Sequence, residues 1–102
     1  MRILGIDPGP VKSAFALIDE NRNILDFGIV ENQLQLDIAE MERESEVVVE
    51  MIHNMGMPCG SEVFETCVMI GRIWSAIGRN PHRLSRVQVK IAICGSVKEK
   101  VS

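Results

Sequence analysis

Residues 1–19, MRILGIDPGPVKSAFALID, set two apolar runs, 3–6 and 14–18, on either side of a segment holding two prolines and one glycine. Short apolar runs bounded by such turn residues read as two strands of a hairpin. The first run closes on a carboxylate, Asp7, followed at once by Pro8, Gly9 and Pro10. An acid at the end of a strand either opens a plain Asp-Pro-Gly turn or belongs to a site.

Outward from this hairpin, DENRN at 19–23 is a second turn cluster and 24–30 a third strand, completing a meander. Asn32 is suited to cap a helix over 33–43, where Leu34, Ile38 and Met41 recur at helical spacing. EVVVEMI at 46–52 carries three consecutive valines, the pattern of a central, parallel strand buried on both faces. Ser61 opens a longer helix with Val63, Phe64, Cys67, Ile70, Trp74 and Ile77 as its apolar face, acids Glu62 and Glu65 at its start, and Gly78 as its terminator. RNPHRLS is expected as a loop, and the alternation in RVQVKIAIC at 86–94 as a half-buried fifth strand. The order β-β-β-α-β-α-β predicts an α/β fold. Its sheet is mixed and five-stranded, with an antiparallel meander followed by parallel strands, flanked by helices. This order resembles the ribonuclease-H-like layout.

The chain has 102 residues, room for one domain. The apolar start is too short for a signal peptide and no stretch approaches a membrane span, so a cytoplasmic protein without membrane contact is expected. Cys59, Cys67 and Cys94 are odd in number and widely spaced, with only His53 and His82 to join them, and read as buried reduced thiols. Met51, Met55, Met57 and Met69 read as core filling. The net charge of −3 hides an asymmetry: residues 1–72 carry thirteen acids against five bases, whereas 73–102 carry six bases and one acid. A basic end on an acidic body fits either a polyanion partner or a solvated strand face and polar tail.

In open α/β sheets, sites gather at the carboxyl ends of parallel strands. Asp7 closes the first strand and Glu50 lies near the end of the valine strand. Were those strands neighbours, their backbones would run ~4.8 Å apart and both carboxylates could reach one ion. Paired carboxylates repel without a cation or proton between them, and their hard oxygens suit Mg²⁺ or Mn²⁺. Such a metal activates water and polarises a phosphoryl oxygen, the chemistry of phosphodiester hydrolysis.

Two stretches carry a resemblance. ILGIDPGPVKSAFALID resembles the opening of RuvC-like Holliday junction resolvases, and VVVEMIHNMGMPCGSEVFETCVMIGRIWSA resembles their phage-type relatives in the ribonuclease-H-like superfamily. KIAICGSVKEK is similar to the strand-to-helix junction of the same group. The resemblance implies a metal-dependent endonuclease of DNA recombination acting on branched DNA, with Asp7 and Glu50 as catalytic metal ligands. It also implies a loop over 53–61 near the site and a homodimer matching the two symmetric cleavage positions of a four-way junction. Charge then suggests Lys12, Arg72, Arg86 and Lys98 as phosphate contacts. Family members carry further acids on a helix after the last strand; here Val101 stands at that place and the sequence ends at Ser102. The expectation is therefore a single RuvC-like domain over 1–102, truncated before its C-terminal helix, whose activity depends on ligands it lacks.

Two other readings stay open. YqgF-type RNA-processing nucleases share the GIDPG opening, but their valine strand usually ends in a Gly-x-Pro-like turn where Glu50 stands here. A non-catalytic DNA-binding or structural remnant would keep the fold without the chemistry.

Overall fold

The computed structural model describes residues 1–52 and 60–85. Seven elements follow in chain order: β1 (Ile3–Asp7), β2 (Lys12–Ile18), β3 (Ile24–Glu31), α1 (Asn32–Met41), β4 (Glu46–Met51), α2 (Ser61–Ile77) and β5 (His82–Ser85). The strands form one sheet in the order β3-β2-β1-β4-β5, with β1–β2 and β2–β3 antiparallel and β1–β4 and β4–β5 parallel. The expected mixed sheet, a meander joined to parallel strands and flanked by helices, is the one that forms.

Strand alternation decides where the core sits. Leu4 and Ile6 of β1, Phe15 and Leu17 of β2 and Val47 and Val49 of β4 all point to one face. There they meet Ala39 of α1 and Met69, Ile70, Ile73 and Ile77 of α2 in one cluster. The opposite face carries Ala14 paired with Ile29 and Ala16 paired with Phe27, and both larger side chains are exposed. Val48 is therefore only half-buried, unlike its neighbours Val47 and Val49. No helix among the described residues is long and apolar enough to cross a membrane.

Local chemistry fixes the connections. Between β2 and β3, the Asp19 carboxylate accepts hydrogen bonds from the backbone N–H groups of Asn21 and Asn23, each at 2.9 Å, around Arg22 in a left-handed conformation (φ 68°). The bond from the Asn23 backbone leads in holding the Asp19 carboxyl below its usual range. Gly78 ends α2 at φ 71°, its N–H reaching the carbonyls of Trp74 and Ser75. The next residue, Arg79, donates to the carbonyls of Arg43 and Ser45, tying the end of α2 to the loop that enters β4.

Three local expectations are corrected. First, the helices are turned about their axes. In α2 the buried side chains are Thr66, Met69, Ile70, Ile73 and Ile77, while Phe64 and Cys67 are exposed. In α1, Gln35 and Ala39 are buried, and Leu34 and Met41 are exposed. Both segments have apolar residues on more than one face, so spacing alone admits more than one rotation. Second, Asn32 makes no capping bond to its own helix; its side chain is committed elsewhere, as described below. Third, HRLS, expected within the loop RNPHRLS, forms strand β5 from His82 to Ser85. Pro81, which has no N–H to donate, is buried immediately before it. His82 bonds Glu46 at 2.6 Å, and Arg83 lies 5.2 Å from the Trp74 ring centre. Residues 86–94, Cys59, Cys94, Met55 and Met57 lie outside the described residues.

The rotation of α2 makes a prediction about two large side chains on one helix. Ile73→Ala removes a fully buried side chain and is expected to cost about 2–5 kcal/mol in urea unfolding, whereas Phe64→Ala is expected to stay within about 0.5 kcal/mol. The reverse ranking would contradict the observed helix face.

Candidate functional site

β1 and β4 run side by side in parallel, with Ile6 opposite Val49 as the last registered pair. One residue further along each strand stand Asp7 and Glu50. Alternation sends Ile6 and Val49 into the core and so turns the two carboxylates toward the other side, at the carboxyl edge of the sheet. Asp7 is exposed and Glu50 half-buried. Neighbouring strands lie ~4.8 Å apart, which puts both acids within reach of one small ion.

Two hollows meet at this edge. One, of about 360 Å³, is bounded by Asp7, Glu50, Pro8 and Pro10 and by Glu62, Val63 and Thr66 from the first turns of α2. The other, of about 320 Å³, opens on the sheet face that neither described helix covers and is floored by Gly5, Ala14, Ala16 and Val48, again with Asp7 and Glu50. The small side chains of the floor leave the carboxylates accessible from that side. Lys12 enters a third hollow that also includes Asp7, so the structure brings Asp7, Glu50 and Lys12 to one region. Arg72 is exposed on α2, ten residues beyond Glu62 and thus about 15 Å along the helix axis. It stands apart from the carboxylates. Arg86, Lys98 and loop residues 53–59 lie outside the described residues.

The donor set fits a hard divalent cation. Asp7 and Glu50 offer only carboxylate oxygens, which suit a hard cation; Met51 also lines the first hollow, but its thioether is a soft donor that such a cation does not recruit. Among the described residues no three of His, Cys, Asp and Glu gather closely enough to enclose an ion. Mg²⁺ is commonly held by one or two carboxylates with waters and substrate phosphates completing the shell, so two acids at an open edge suffice for that mode.

Sequence reasoning missed the residues that shape the turn after Asp7. Gly9 is obligatory there: a Cβ would lie 2.3 Å from the carbonyl oxygen of Lys12. Asn32 Nδ2 donates to the Gly9 carbonyl at 2.9 Å, Ser13 Oγ donates to Asn32 Oδ1 at 2.7 Å, and the Gly9 N–H donates to Ser13 Oγ at 3.3 Å. The Asn32 N–H reaches the Val11 carbonyl at 3.0 Å. Nothing in the linear spacing of residues 9, 13 and 32 announces this closed set. Glu62 and Thr66 were equally invisible as site residues, because only the placement of α2 over the sheet edge brings them there.

No family model and no curated protein sequence matches the chain. Solved structures do. Thermus thermophilus RuvC in complex with a Holliday junction substrate matches with a TM-score of 0.66 at 16% identity, over 90% of this chain and 69% of that one. A Thermus thermophilus RuvC structure matches at 0.64 and 18% identity, over 93% and 70%. The described sheet, its two helices and these likenesses together give the chain the ribonuclease-H-like fold in its RuvC-like form.

Proposed function

We propose that residues 1–102 form one RuvC-like nuclease domain, of the phage type suggested by its sequence, that cleaves phosphodiesters in branched DNA such as Holliday junctions with Mg²⁺ or Mn²⁺. The observation that carries this reading is the juxtaposition of Asp7 and Glu50, one register step beyond Ile6 and Val49 on adjacent parallel strands. A neighbour of the same fold is a RuvC in complex with a Holliday junction substrate, which supports branched DNA as the substrate class.

In this reading Asp7 and Glu50 are the residues that hold the cation. When bound, the ion supplies Lewis acidity toward a phosphoryl oxygen and lowers the pKa of a coordinated water. The chain's own residues do the rest. Both carboxylates project from strands locked in register, so their separation is set by the sheet and changes little when substrate arrives. The open sheet edge admits a phosphate group, and Lys12, the first residue of β2, lines a hollow with Asp7 and offers a cationic contact to a backbone phosphate. The acids at the edge also reject a polyanion in the absence of a cation, so DNA engagement at this point depends on metal. A two-fold pair of chains would present two such edges to the two symmetric strands of a four-way junction.

The test is nicking of a synthetic four-way junction in Mn²⁺ or Mg²⁺. Asp7→Asn and Glu50→Gln are each expected to lower the rate by at least about 100-fold, since each removes one of the two charged ligands that this reading assigns among the described residues. Lys12→Ala is expected to weaken junction binding and reduce its salt dependence by about one phosphate contact. Undiminished cleavage by Asp7→Asn defeats the proposal. Salt-sensitive junction binding by the wild-type chain, without metal-dependent cleavage, selects the non-catalytic reading.

A further inference from the structure

We infer that Ser13 and Asn32 form a latch that fixes the turn from Asp7 to Pro10 and thereby sets the position of the Asp7 carboxylate; as a statement about a metal ligand, this rests on the reading above. The latch is a closed circuit of hydrogen bonds. Gly9 N–H donates to Ser13 Oγ, Ser13 Oγ donates to Asn32 Oδ1, and Asn32 Nδ2 donates back to the Gly9 carbonyl. One residue, Gly9, is therefore gripped through both its backbone polar groups. The Asn32 N–H adds a fourth bond, to Val11 on the far side of the turn. Ser13 is 2% exposed, so water does not compete for its hydroxyl and its bonds hold the turn strongly.

The rotation of α1 shows what this circuit costs the rest of the molecule. Asn32 is the first residue of α1, and Gln35 and Ala39 follow it at i+3 and i+7, on the same stripe of the helix. Fixing Asn32 against Gly9 drives that stripe inward. Gln35 is consequently 0% exposed, and among the described residues neither its Nε2 nor its Oε1 has a hydrogen-bond partner. Leu34, one position away, is left 50% exposed. Burial alone would choose the opposite, since an unpartnered buried amide is unfavourable and an apolar side chain is favoured inside. The helix is turned to serve Asn32. Ser13 and Asn32 touch neither the reacting atoms nor the ion in this account, so they are positioning residues acting through the turn.

The experiment uses the full chain with Ser13→Ala, Asn32→Ala, the double variant and Ser13→Thr. Two quantities are read: amide hydrogen exchange at Gly9 and residue 32 without metal, and the Mn²⁺ dissociation constant from the electron paramagnetic resonance of free Mn²⁺. Circular dichroism establishes that each variant is folded. Each alanine variant is expected to speed exchange at Gly9 and to weaken Mn²⁺ binding by about tenfold, the scale on which residues orienting metal ligands act. The double variant is expected to be no weaker than either single one, because the circuit fails as a unit. Ser13→Thr keeps the hydroxyl and is expected to restore slow exchange and binding; should the extra methyl prevent folding, the alanine cycle decides alone. Unchanged exchange in both alanine variants overturns the latch, as does wild-type Mn²⁺ affinity in both when Asp7→Asn has lost it. If the wild-type chain takes up no Mn²⁺, the metal reading fails, and exchange at Gly9 still decides whether the latch holds the turn.

Discussion

The parallel pairing of β1 with β4 is the constraint from which everything else in this molecule follows. Two strands far apart in sequence are locked in register through Leu4–Val47 and Ile6–Val49, and the four side chains named are the centre of the core. The same alternation that buries them leaves the next pair, Asp7 and Glu50, on the sheet's other side at its edge. A slip of one residue would carry Glu50 toward the core and a valine out of it, so register is protected by the full hydrophobic cost of that exchange. The site is thereby stabilised by contacts that take no part in its chemistry.

Around that pair, the sheet's two faces have different tasks. One is closed by α1 and α2 over an apolar cluster, with Arg79 and the Trp74–Arg83 contact securing the far end of α2. The other is floored by Gly5, Ala14 and Ala16, with Phe27 and Ile29 standing exposed at its margin. Small residues in the middle of a sheet forgo packing area, and here they leave room beside the carboxylates. The turn after Asp7 adds a second demand, since the circuit through Ser13 and Asn32 dictates how α1 lies on the sheet.

Much of this could be read from the residues. Ile-Leu-Gly-Ile-Asp followed by Pro-Gly-Pro gives strand, acid and reversal in ten residues, and Val47–Val48–Val49 marks an inner strand, so the Asp7–Glu50 pairing followed once a crossover was assumed. The faces of the helices could not be read in the same way. In α2, Phe64, Val68 and Ile73 are all apolar, and only the tertiary packing, which buries Ile73 and leaves Phe64 and Val68 exposed, decides among them. In α1 the decision lies with Asn32, whose bonds run to a residue 23 positions earlier; no local periodicity encodes that. The strand at His82–Ser85, where a loop was expected, likewise has partners distant in sequence, Glu46 and Trp74.

The central claim is that Asp7 and Glu50 together hold one divalent ion. Anomalous diffraction from crystals of the chain soaked in Mn²⁺ tests it without reference to catalysis. The account predicts a single strong peak within about 2.0–2.6 Å of oxygens from both carboxylates. A peak held by only one of them, or none at the sheet edge at Mn²⁺ concentrations that saturate binding, would contradict it.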